Sequence, residues 1–138
     1  MCFIKTIKLN ELERYYITNI LKEDKVVIKI LYKELINSFL FKKYKYFSPY
    51  EGYIYIKGKL NISSLGIQIN RVYDDWSINI MVNEGFHSFR TKEDAYKSEL
   101  ISDSRTVLCK CIIPKGSTIV YNDSEIVSNQ IIFIEELK

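Results

Sequence analysis

The stretch after residue 105 most constrains what this chain can fold into. Three short runs rich in β-branched residues, Thr106–Ile113, Thr118–Tyr121 and Ile126–Ile134, are separated by Pro114-Lys115-Gly116-Ser117 and by the polar residues Asn122–Glu125. Short apolar runs bounded by turn-formers read as strands, and their close succession predicts a β-meander. Upstream, Val26, Val27, Ile28, Ile30 and Leu31 enclose a single lysine, Lys29, which predicts a largely buried and central strand. From Tyr50 to Lys57 the residues alternate, with Tyr53 and Tyr55 on one face and Ile54 and Ile56 on the other, until Gly58 breaks the run. The isoleucine face is the expected core side. Ile67–Tyr73 and Ser77–Val82 flank Asp74-Asp75, good turn residues, and so predict a hairpin.

Helical signals are fewer. Thr91 is placed to cap a helix, with Asp94 three residues on and Ala95, Leu100 and Ile101 as its buried stripe. Asn10 is a cap for a short helix beginning at Glu11, although Tyr15–Ile20 suits an extended chain as well. Residues 33–49 lack period 2 and end in Ser48-Pro49, where proline disfavours a helical predecessor. They predict a long loop, with a short helix around Glu34–Phe41. The resulting expectation is an α+β chain, mostly antiparallel and β-rich, of about six to seven strands with one or two short helices. At 138 residues, without internal repeat or linker, it reads as a single domain over 1–138, with 1–24 packed on a β-rich body of 25–138.

Composition narrows the function classes. Hydrophobic residues at 47% and charged residues at 27% exclude a disordered or fibrous chain. The 11 Tyr and 7 Phe suit either half-exposed strand faces or a surface that stacks on flat ligands. A net charge of +3 is mild, and no long nucleic acid is expected as a partner. Locally, Lys42, Lys43 and Lys45 alternate with Phe41, Tyr44, Tyr46 and Phe47. Such a segment either meets phosphates and stacks bases or is a solvated loop whose rings return to the core. The cysteines are Cys2, Cys109 and Cys111, an odd count that argues against a disulfide framework. Cys109 and Cys111 fall on one face of their strand as small apolar fillers, and with one histidine in the chain no metal site is expected. No apolar run approaches the roughly 18 residues that span a bilayer, so no membrane is expected and a reducing cytoplasm is the expected location.

His87 is the one side chain whose ordinary pKa lies near neutrality. It sits in Gly85-Phe86-His87-Ser88-Phe89-Arg90, just before the capped helix, and Ser88 and Arg90 make this corner a candidate anion site. A packing histidine at a strand-to-helix corner is the alternative. Ser88 is adjacent to His87 in an extended segment, where neighbouring side chains diverge, so no nucleophile–base pair and no catalytic residue is expected. Pro114-Lys115-Gly116-Ser117 lacks the spacing and following helix of a phosphate-binding loop and reads first as a turn.

The order of short blocks resembles a set of small proteins found mostly in bacteriophages and their hosts. The blocks are Val26–Leu31, Ser48-Pro49-Tyr50, Gly85–Phe89, Cys111–Ser117 and Ser128-Asn129-Gln130-Ile131. The resemblance implies a phage-borne cytoplasmic accessory protein and no particular activity. Ile113–Ser117 also resembles the penultimate block of the ADP-ribosyltransferase fold, which surrounds nicotinamide dinucleotide. Where that family carries its catalytic glutamate this chain has Ser128-Asn129-Gln130, and Glu135-Glu136 follows too late. Without that carboxylate the transition state loses its main electrostatic aid, and the resemblance implies a binding scaffold.

Three functions are therefore expected in competition. The first is capture of a small anionic ligand, foremost a nucleotide and including cyclic nucleotide immune signals withheld from host anti-phage defence. Lys115 and Arg90 would meet phosphates, Gly116 and Ser117 would donate backbone N–H groups, and Tyr50, Tyr53 or Trp76 would stack on a base, with His87 and Ser88 in the first of two candidate anion-holding turns, 87–90 and 115–117. No cofactor is expected, and a homodimer would suit a symmetric ligand. The second is an ADP-ribosyltransferase-like enzyme, the third a protein-interaction module that blocks a host factor.

Overall fold

The computed structural model describes residues 3–8, 18–37, 42–49, 52–73, 76–98 and 104–137. Within them, strands β1 (Phe3–Lys8), β2 (Asn19–Ile20), β3 (Lys25–Asn37), β4 (Lys42–Phe47), β5 (Ile54–Tyr55), β6 (Leu60–Ile62) and β7 (Gln68–Tyr73) come first. β8 (Ser77–Glu84), β9 (Phe86–Phe89), helix α1 (Lys92–Lys97), β10 (Thr106–Ile113), β11 (Thr118–Tyr121), β12 (Glu125–Ser128) and β13 (Gln130–Glu136) follow. Ten strands make one sheet in the order β2-β11-β12-β9-β3-β10-β13-β6, with β4 on β3 and β5 on β4, while β1-β8-β7 is a separate three-stranded sheet.

β3 is the axis of the large sheet, and its sequence explains why. Val27, Lys29 and Leu31 alternate with Ile28 and Ile30, and all five are buried, so both faces of the strand are covered. On the inner face Val27 and Leu31 join Phe86 of β9, Cys111 of β10, Ile126 of β12 and Phe133 of β13 in one cluster. Strands that are distant in the sheet order thus meet, and the sheet curls around its own inner face. On the outer face Ile28, Ile30, Phe89 and Leu108 pack on Ala95 of α1. Farther along that face Val120 and Val127 are covered by Ile80 and Val82 of β8, which ties the small sheet to the large one.

Several expectations need correction. The α+β class with six to seven strands gives way to a strongly β-rich chain of thirteen strands and one short helix among the described residues. Residues 33–37 and 42–47 are strands rather than a loop or a helix near Glu34. Tyr46 packs edge-on against Phe133, but over residues 34–37 and 42–45 the two strands pair away from the core, where no apolar alternation is required, so the periodic signal is missing although the strands are present. Among the described residues of the alternating run only Ile54–Tyr55 is a strand, and its faces are reversed: Tyr55 is buried while Ile54 is exposed. The rings win the interior because Tyr55 packs edge-on against Tyr53 and Phe86, at 5.0 and 6.2 Å between centroids. The terminal run is two strands, broken at Asn129, whose N–H donates to the Thr118 carbonyl while its Oδ1 accepts from the Thr118 N–H.

Other expectations hold. β7 and β8 pair antiparallel as the hairpin expected around Asp74-Asp75. α1 begins at a Thr91 cap whose hydroxyl accepts from the Asp94 N–H at 3.2 Å. Its expected stripe residues Leu100 and Ile101, and the helix expected to begin at Glu11, lie outside the described residues. Cys109 and Cys111 are both fully buried on the inner face, where burial raises the thiol pKa of each, Cys111 to about 12.

Candidate functional site

Folded chains rarely leave buried polar atoms without partners, so each such atom asks for an explanation. Among the described residues these atoms are His87 Nδ1, Ser88 Oγ, Glu125 Oε1 and Ser128 Oγ. All four belong to two adjacent strands, β9 and β12, paired in the register Glu125↔Phe89, Ile126↔Ser88, Val127↔His87 and Ser128↔Phe86. Side chains alternate along each strand, which divides the four into two pairs. Ser88 and Ser128 share the inner face with Phe86 and Ile126; His87 and Glu125 share the outer face with Phe89 and Val127.

The inner pair has a distinctive neighbourhood. The register Ile28↔Phe89 sets Lys29 across from Ser88, on the same inner face. Lys29 is only 7% exposed, its ammonium donates to the His87 carbonyl, and it lies 5.3 Å from the centre of the Tyr55 ring. Tyr53 extends the row of rings outward: it is 5.7 Å from Phe86, donates its hydroxyl to Asn61 Oδ1 at 3.0 Å, and is 41% exposed. A cation, two hydroxyls and a wall of rings running from the interior to the surface are thus gathered on one face. Such a set suits a compact anionic group attached to a flat ring, because the ammonium and hydroxyls can bond its oxygens while rings stack.

On the outer face, burial and then the Lys29 charge lower the His87 pKa to about 4. Burial raises the Glu125 carboxyl above its usual range, against a hydrogen bond from Asn122 that lowers it. Both groups are therefore driven toward their neutral forms. His87 and Ser88 point to opposite faces of β9, so the histidine is not placed to take a proton from that serine.

The remaining expected site residues are distributed. Arg90 is exposed beyond β9; it donates to the Asn122 carbonyl at 3.1 Å and lies 5.6 Å from the Tyr121 ring centre. In the β10–β11 turn the backbone donors are already engaged: Lys115 N–H on Asp24 Oδ1, Gly116 N–H on the Leu21 carbonyl and Ser117 N–H on the Pro114 carbonyl. The turn does hold a carboxylate, supplied by the chain itself. Ser117 is fully buried, and its hydroxyl donates to the Pro114 carbonyl at 2.6 Å. Trp76 precedes β8 in the small sheet and is highly exposed. Tyr50 lies outside the described residues. Of the expected set, the structure brings Tyr53 and Ser88 to the inner face, sets His87 on the opposite face of β9 with Arg90 beyond the strand, and leaves Trp76 and Lys115–Ser117 on other elements.

Lys29 and Ser128 are not among the residues the sequence points to as binding, whereas Tyr55 shares the expected tyrosine face with Tyr53. Lys29 had a signal, being the one charge inside a run otherwise apolar on both faces. Ser128 had none, because only the corner at Asn129 and the β9 pairing turn it inward. Glu136, at the end of β13, is engaged by Lys33 at 2.8 Å and by the Tyr46 hydroxyl at 2.9 Å. No group of three or more His, Cys, Asp or Glu among the described residues is arranged to hold a metal ion. No described helix is long and apolar enough to cross a membrane. Comparison of the chain with protein-family models, with curated proteins and with solved structures returns no match.

Proposed function

We propose that the chain binds a small anionic ligand bearing a flat ring, a nucleotide above all, on the inner face of β9 and β12. One observation carries this reading: the Ser88 and Ser128 hydroxyls are buried without partners beside the Lys29 ammonium and the Tyr53–Tyr55–Phe86 rings. A buried hydroxyl without a partner costs about 1–3 kcal/mol, and a ligand oxygen that bonds it recovers that cost. The proposal rests on Lys29, Ser88, Ser128 and the rings rather than on the β10–β11 turn, whose N–H groups are used within the chain. In the phage setting that the sequence blocks imply, such binding would sequester a nucleotide signal, cyclic nucleotides included, in the host cytoplasm.

The test is thermal melting of the purified protein against inorganic phosphate, nicotinamide dinucleotide and cyclic di- and trinucleotides. A ligand at 100 times its dissociation constant should stabilise the chain by about 2.7 kcal/mol, a rise of several degrees in Tm. A rise with one nucleotide class supports the proposal, and a flat panel at millimolar ligand rejects it.

A further inference from the structure

A second feature stands apart from the inner face. β3 outruns β10, whose pairing with it ends at Thr106↔Tyr32, and residues 34–37 of β3 pair with β4 only. β4 in turn meets β5 only through Tyr46 and Phe47. Among the described strands, none pairs with the other edge of β4 over Lys42–Lys45. A two-stranded ribbon therefore extends from the sheet, its outer edges unpaired among the described residues along β3 over residues 34–37 and along β4 over Lys42–Lys45.

The two faces of this ribbon differ. On one, Leu35 lies opposite Tyr44, each 46% exposed. On the other, Glu34 lies opposite Lys45 and Ile36 opposite Lys43. The ribbon, with the adjoining Arg105 and Glu136, holds Lys33, Lys42, Lys43, Lys45 and Arg105 against Glu34 and Glu136, an excess as large as the +3 of the whole chain. Lysines on a sheet edge often serve only to repel other edges. That role needs charge alone, whereas here Leu35 and Tyr44, the latter with the Lys33 ammonium 4.1 Å from its ring centre, reach the same edge from the other face.

We propose that the open edge of β4 over Lys42–Lys45 docks an extended segment of another protein in which acidic and apolar residues alternate. Strand pairing supplies main-chain hydrogen bonds, and alternation supplies specificity. Acidic side chains of the added strand stand beside Lys43 and Lys45, and apolar ones extend the Leu35–Tyr44 row.

The test uses the full chain and a fluorescent peptide of alternating glutamate and valine, read by anisotropy. A peptide of the same composition with its glutamates and valines in separate blocks is the first comparison, and an alternating peptide N-methylated at every second residue is the second. The alternating peptide should bind roughly tenfold tighter than either. The double charge reversal Lys43→Glu with Lys45→Glu should weaken it by a similar factor while Tm is unchanged. If that variant melts early, Tyr44→Ser, at an exposed position, should weaken the alternating peptide and leave the block peptide unaffected. Absent binding, equal binding of the alternating and block peptides, or binding that survives N-methylation overturns the proposal. Tighter binding of labelled oligothymidylate to the same lysines also overturns it and assigns the ribbon to nucleic acid.

Discussion

Replacing Ser128 by alanine should make the protein more stable. Its hydroxyl is fully buried on the inner face, opposite Phe86, and has no hydrogen-bond partner. A hydroxyl left in that condition costs the folded state about 1–3 kcal/mol relative to one exposed to water. Removing the oxygen leaves a void of roughly 10–15 Å3, which at about 24 cal/mol per Å3 costs about 0.3 kcal/mol. The net expectation is a gain of about 1–2 kcal/mol, which raises Tm by roughly 3–10 °C for a chain of this length. Urea denaturation of wild type and Ser128→Ala measures the difference directly, with an unchanged slope showing that the denatured state is not responsible. Ser88→Ala should behave in the same way, for the same reason. A functional residue that costs stability is expected to lose ligand binding when it gains stability, so the same variants should show a smaller thermal shift with the nucleotide that binds wild type. A fall in stability on Ser128→Ala would refute the reasoning. It would mean that the hydroxyl is satisfied in the folded protein and is not held in reserve for a ligand.

Gly85→Ala should be among the most damaging single changes in the chain. Gly85 has φ +123, and a Cβ there would lie 2.6 Å from Val127 Cγ1 and 3.3 Å from the Ser128 carbonyl oxygen. Backbone strain of about 1–3 kcal/mol and overpacking of about 1–3 kcal/mol together amount to about 2–6 kcal/mol. Gly116→Ala, where φ is +88 and a Cβ would meet nothing within 4 Å, should cost only about 1–2 kcal/mol, and thermal melts of the two variants give the comparison. The His87 pKa falls from 6.5 to about 4 on folding, so the unfolded chain takes up the proton first and stability declines as pH drops across that window. The decline should total about 3 kcal/mol and be absent from His87→Gln, as read from denaturation at several pH values. Glu125, raised by burial, works the other way, losing stability as pH rises through its folded pKa, and it contributes equally to both proteins being compared. The Cys109 and Cys111 thiols should resist a disulfide reagent at pH 8 until the protein is unfolded; rapid modification of either in the native state would contradict their burial and raised pKa values.

The strands that carry the core were legible in the sequence because burial on one or both faces forces an apolar pattern. β3 through Leu31, the β7–β8 hairpin, β10 and β11 were expected close to their observed positions. Strands that bury no apolar face left no such pattern, β6 burying only the polar Asn61. The ribbon of β3 and β4 reads as polar because it leaves the core, and β6, with Leu60 and Ile62 exposed at the sheet edge, gives no periodic signal. Side-chain direction was harder still. Tyr53 and Tyr55 were expected to face away from the core, yet Tyr55 is in it, because aromatic contacts with Phe86 of a distant strand outweigh the local preference for isoleucine inside. The candidate site was half legible. Tyr53 and Ser88 were singled out by residue chemistry alone, as was His87, which lies on the opposite face of β9. Lys29 and Ser128 belong to it only through the pairing of β3, β9 and β12, which no local pattern encodes.

The location of the ligand is best tested by following backbone amide resonances while the nucleotide that stabilises the protein is titrated in. Binding on the inner face should move Phe86–Ser88, Ile126–Ser128 and Lys29 most, and Lys29→Met should abolish those shifts. Shifts concentrated at Lys115–Ser117 or along Lys42–Phe47, or shifts at β9 and β12 that survive Lys29→Met, would contradict the proposed site.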